Sequence, residues 1–92
     1  MKRVIIEVEK GNEGCTHGHK TAGQRIILEG TRIIGDICIP ALVGMFPILY
    51  ALKNGGKLRY ADNEGKVRVC CGDADNIVYF KCWAEEIEDK AK

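Results

Sequence analysis

The densest run of chemistry-bearing side chains in the chain is Cys15-x-His17-x-His19, a thiol and two imidazoles within five residues. Sulfur and nitrogen donors of this kind suit soft or borderline ions such as zinc or iron. Neither a Cys-x-x-Cys nor a His-x-x-x-His spacing occurs anywhere, so three donors in one loop would need help from elsewhere. Cys38 and Cys71 are placed to give it, which makes Cys15, His17, His19, Cys38 and Cys71 the candidate metal ligands. The bland alternative is that the histidines stabilise or solvate a loop, and that Cys38, Cys70 and Cys82 are small buried hydrophobes. Cys82, in an alternating run with Val78, Phe80 and Ala84, fits that second description best.

A thiol read as a nucleophile rather than a ligand points first to Cys38. It stands just ahead of an apolar helical stretch, where backbone donors and the helix dipole favour a thiolate. His19 with Asp36 or Asp73 would then supply a base and an orienting carboxylate. Cys70 and Cys71 are adjacent, so in an extended strand they face opposite ways and do not ligate one ion together. One of the two is expected in the core, with Cys71, beside Gly72, freer to join a site. Asp73-x-Asp75-Asn76 lacks the glycine and distant glutamate of a calcium loop and reads as a turn. The glycines form neither a dinucleotide-binding nor a phosphate-binding loop.

The elements that must position these residues follow from hydrophobic spacing. Val4, Ile6 and Val8 alternate with Ile5, Glu7 and Glu9, which predicts a strand over 3–9 with one buried face. Gly11-Asn-Glu-Gly14 opens the ligand-rich loop, and Arg25-Ile-Ile-Leu-Glu29 predicts a second strand antiparallel to the first. Ile37 to Leu52 holds no charged residue and is rich in helix formers, with Pro40 in its first turn and Asn54-Gly55-Gly56 as its stop. Pro47 removes a hydrogen bond to Val43, which predicts a kink or two short helices meeting near Phe46. Residues 66–70 and 77–84 alternate again and predict two more strands, leaving a charged tail over 85–92. The expected fold is α+β: one β-β-α-β-β domain spanning 1–92, a four-stranded mainly antiparallel sheet packed by one proline-kinked apolar helix.

That arrangement puts Cys15 after the first strand, Cys38 at the helix N-terminus and Cys71 at the end of the third strand. Distant thiols at element ends are free to meet.

Composition narrows the function classes. At 92 residues with 46% hydrophobic side chains, the chain folds as one domain, yet its core is small enough that a metal staple would be useful. Nine basic against five acidic side chains precede or include Tyr60, and five against eight follow it, so no concentrated basic face argues for nucleic acid. The uncharged stretch over 37–52 is shorter than the roughly 20 residues of a membrane span. Glu7 and Glu9 interrupt any export signal, which predicts a cytoplasmic protein with reduced thiols. A helix apolar on every side leaves a face that one small sheet does not cover, which predicts a homodimer through 37–52.

Five segments carry a wider resemblance: Cys15-x-x-Gly18-His19-Lys20, Gly35-Asp36-x-Cys38-x-x-Ala41, Phe46-Pro47, Leu52-x-x-Gly55-Gly56 and Val69-x-Cys71-x-Asp73. Together they resemble a family of uncharacterised prokaryotic proteins of about this length. The family pairs a cysteine in the first loop with one opening a proline-containing helix and one before an aspartate near the end. The resemblance implies that Cys15, Cys38 and Cys71 are a matched set and that Cys70 and Cys82 are additions of this chain. Ala22-Gly23-Gln24 stands where the family has Gly-Asp, and Gly72 where it has proline.

Three readings follow. The first is a zinc- or iron-binding module; the second is a metal-free homodimeric interaction domain with buried cysteines; the third is a thiol-redox protein. No catalytic residue, nucleotide or organic cofactor is indicated.

Overall fold

A computed structural model describes residues 2–87. Its elements are β1 (Lys2–Lys10), β2 (Arg25–Glu29), β3 (Arg32–Ile34), α1 (Ile39–Lys53), β4 (Val67–Cys70) and β5 (Tyr79–Glu86). The alternation of β1 places it centrally in a wholly antiparallel sheet of order β3-β2-β1-β5-β4. The α+β architecture and the antiparallel pairing of β1 with β2 are as expected.

The sheet has five strands rather than four. Gly30, at φ +61°, lets the chain reverse across Gly30-Thr31, and Arg32–Ile34 returns along β2. A strand of three residues is too short to show an alternating pattern. At the other end of the chain, Glu85 and Glu86 extend β5 and pair with Arg3 and Lys2 of β1, where a solvated tail was expected. Of the rest of that predicted tail, Ile87 follows the strand and 88–92 lie outside the described residues.

One face of the sheet carries Val4, Ile6, Val8, Ile26, Leu28, Val67, Phe80 and Cys82, and α1 closes it with Ala41, Met45, Leu49 and Leu52. Burying each large aliphatic side chain is worth roughly 1.5–3 kcal/mol, so this layer is what holds a chain of this size together. The other face is covered thinly. Ile5 is buried between its cross-strand neighbours Ile27 and Trp83, and Arg25 and Lys66 lie over the indole at 5.3 and 4.5 Å.

Helix α1 runs as one element through Pro47, not as two short helices. The hydrogen bond that Pro47 forfeits belongs to Val43, a residue 69% exposed, where water can serve the carbonyl instead. The helix ends as its sequence requires: Gly55 (φ +81°) turns the chain, and the amides of Gly55 and Gly56 donate to Leu52 and Ala51 carbonyls at 3.0 and 2.8 Å. No helix among the described residues is long and apolar enough to cross a membrane.

Candidate functional site

The loop between β1 and β2 is pinned before any ligand is considered. Asn12 Nδ2 donates to the Ile77 carbonyl at 3.3 Å, its Oδ1 accepts from the Gly14 amide at 2.9 Å, and its own amide donates to the His19 carbonyl at 3.1 Å. Gly14 is a glycine because the Asn76 side chain occupies the space a Cβ would need. The loop is thereby fastened to the turn between β4 and β5, bringing Cys15 to the same end of the molecule as Cys71.

That turn is built on Asp73, whose Oδ1 accepts from the amides of Asp75 and Asn76 at 3.0 and 3.2 Å, as its sequence suggested. Above it, the Cys71 amide donates to the Val78 carbonyl at 3.0 Å, and the Val78 amide donates back to Cys71 Sγ at 3.3 Å. Of the adjacent pair it is Cys71 that packs against the core, while Cys70 is exposed and not a buried hydrophobe.

The third contribution comes from α1. Cys38 occupies the N-cap position with an extended backbone, and its thiol makes no capping hydrogen bond. Pro40 falls in the first turn, where its missing donor costs little.

These three segments enclose one cavity of about 150 Å³. Its lining includes all five candidate ligands: Cys15, His17, His19, Cys38 and Cys71. Cys82 is fully buried elsewhere in the core, and burial pushes its thiol up to about 12.

The thiol on which backbone donors converge is Cys15. Gly18, at φ +108°, closes the turn after Cys15, its amide donating to the Cys15 carbonyl at 3.2 Å. Burial raises the Cys15 pKa, but the amides of His19, Gly18 and His17 outweigh burial and the nearby Asp73 charge. The thiol therefore ionises below its ordinary value. The helix-terminus argument that singled out Cys38 missed this cradle, whose sequence signal is the glycine three residues after Cys15.

The two histidines differ. His17 Nε2 lies 2.8 Å from Asp36 Oδ1, and since a carboxylate only accepts, that nitrogen carries the proton. His19 is 4% exposed and meets Phe80 edge-on at 5.5 Å. Its Nε2 accepts the Cys38 amide at 3.2 Å, and its Nδ1 lies 3.3 Å from Gln24 Oε1, to which it donates. Among the described residues, the hydrogen bonds of His19 go to Gln24 and Cys38 and that of Asp36 to His17, so His19 is not paired with Asp36 or Asp73 as a base and carboxylate around Cys38.

Although the five side chains share a cavity, no group of three or more His, Cys, Asp or Glu among the described residues is already gathered to hold a metal ion. No family model, curated protein or solved structure matches the chain.

Proposed function

We propose that the cavity is a metal-binding site of the zinc or iron class, in which Cys15, Cys38 and Cys71 act as thiolate donors and a loop histidine supplies nitrogen. The observation that carries this reading is the convergence: three thiols from segments far apart in sequence line one small cavity with two imidazoles. Backbone amides beside Cys15 favour its thiolate, the form that binds metal. Binding draws the thiols inward from their present positions, since they do not form a ready cage. The same three cysteines are those the family resemblance sets apart.

Elemental analysis of protein purified without chelator or affinity tag tests the reading. Near one equivalent of zinc or iron, lost in the Cys15→Ser/Cys38→Ser double variant, is the expected result. Metal-free protein that also fails to take up either ion when reduced would overturn it.

A second reading is favoured by a separate observation. Ile39 and Val43 are 72% and 69% exposed, and Phe46 and Tyr50 continue the same stripe along the outside of α1. Their 4-3-4 spacing is that of a coiled-coil seam, and no charge interrupts it until Lys53. A second copy of this chain would meet it without opposing like charges. Concentration-dependent mass in analytical ultracentrifugation, abolished by Val43→Lys, is the expected outcome; a constant monomer mass would refute it.

A further inference from the structure

We infer that His17, through Nδ1, is the nitrogen donor that joins the three thiolates, and that His19 is a positioning residue and not a ligand. This rests on the metal-site reading and specifies its donor set.

The two imidazoles stand side by side on the cavity wall, with ring centroids 4.8 Å apart, so proximity does not choose between them. Their hydrogen bonds do. Both nitrogens of His19 are committed to the protein, one accepting the Cys38 amide and the other facing Gln24. For His19 to turn a lone pair to an ion, the part-buried Cys38 amide would lose its acceptor at the start of α1. Leaving such a donor unpaired is the expensive half of breaking any hydrogen bond. What His19 does instead is couple the loop to the helix: it sets the backbone of Cys38, and with it the position of that sulfur.

His17 has the opposite pattern. Its Nε2 faces the Asp36 carboxylate at 2.8 Å and donates to it, so in the neutral imidazole it is Nδ1 that carries the lone pair. A carboxylate on the far nitrogen is the arrangement that surrounds metal-ligating imidazoles: it fixes the tautomer, orients the ring and raises the basicity of the ligating atom. His17 also sits in the turn whose amides face Cys15, so the two donors are positioned by one loop. Three thiolates with one imidazole make a closed four-coordinate set of the kind found in structural zinc sites.

Cobalt(II) is the probe, because its visible ligand-field bands report four-coordination and its near-ultraviolet bands report thiolate ligation. Reduced protein is titrated with cobalt and then with zinc as competitor, for the parent chain and for His17→Ala, Asp36→Asn and His19→Gln. The inference expects His17→Ala to weaken cobalt binding by at least about 100-fold and to alter the visible bands. It expects Asp36→Asn to weaken binding by about 10–100-fold with the thiolate bands retained. His19→Gln, whose side-chain oxygen can still accept the Cys38 amide and so keep that sulfur in place, should bind within about threefold of the parent, while melting at a lower temperature.

Imidazole nitrogen shifts read by NMR on zinc addition give the same answer without a substitution: His17 Nδ1 should move and the His19 nitrogens should not. Loss of binding in His19→Gln with retention in His17→Ala would reverse the assignment. Retention in both would replace the imidazole by water or another donor, which overturns the inference while leaving a thiolate site. A parent chain that takes no cobalt would remove the metal reading and this inference with it.

Discussion

Cys15 and Cys82 are the same residue type in one small domain, and their surroundings make them chemically opposite. Cys82 lies on β5 beside Phe80 and opposite Val67, fully covered, and burial alone raises its thiol to about 12. Cys15 sits on a pinned loop at the cavity, where backbone amides offset both burial and a neighbouring carboxylate and lower it. Burial opposes ionisation at both; what differs is whether amides are present to answer it. In a β-strand the amides are already spent on the ladder, whereas in a glycine-bearing turn three of them can converge on one sulfur.

The largest consequence is in reactivity. At neutral pH a thiol at about 12 holds on the order of a thousandfold less thiolate than an ordinary one near 8.5, before access is considered. Alkylation of the folded, metal-free protein, followed residue by residue by mass spectrometry, should therefore modify Cys15 at least about 1000-fold faster than Cys82. Comparable rates at the two positions would break the comparison at its root. They would also remove the basis for a thiol-redox role.

Stability should rank the two in reverse. Cys82→Ser puts a hydroxyl into the apolar layer under α1 and should cost about 1–3 kcal/mol in urea unfolding. Cys15→Ser, at a partly exposed position, should stay within about 0.5 kcal/mol in metal-free protein. A Cys82→Ser variant as stable as its parent would mean that the layer around Phe80 admits water.

How far the sequence carries a reader can be judged from the same two residues. Cys82 was legible as core because period-two alternation with Phe80 and Val78 is a direct statement about which face is buried. That Cys15, Cys38 and Cys71 line one cavity was legible as well: Cys15 lies in the β1–β2 loop, Cys38 caps α1 and Cys71 follows β4, and such connections meet at one end of a small α+β layer. The cradle on Cys15 was hinted at only by Gly18, three residues on, because it is made of backbone amides, which every residue possesses. The division between His17 and His19 was not legible, since it depends on Asp36, Gln24 and the Cys38 amide arriving from different segments. β3 was missed for another reason: three residues beyond a two-residue turn give periodicity nothing to act on.

A pH series sharpens the comparison further. Because the folded state holds the Cys82 thiol above its unfolded value, the stability it contributes is complete below about pH 8.5 and is lost as pH rises toward 12. Lysines and tyrosines titrate in the same range, so the useful quantity is the difference between the parent and Cys82→Ala. That difference should shrink by up to about 2 kcal/mol between pH 8 and pH 10, measured by urea midpoints. A difference independent of pH would show that the thiol is not sequestered as its burial implies.

The smallest expected effect tests the balance at Cys15 itself. Among the influences on that thiol, the Asp73 carboxylate is the one charge opposing ionisation, and its contribution is the least of those resolved. Asp73→Asn removes the charge but keeps an oxygen to accept the Asp75 and Asn76 amides, so the turn that carries Cys71 survives. The midpoint of Cys15 alkylation against pH should then move downward, with Cys82 labelling unchanged. A shift upward would mean that the turn had opened and the cradle loosened, making Asp73 an anchor for the loop and turn more than a charge beside the thiol.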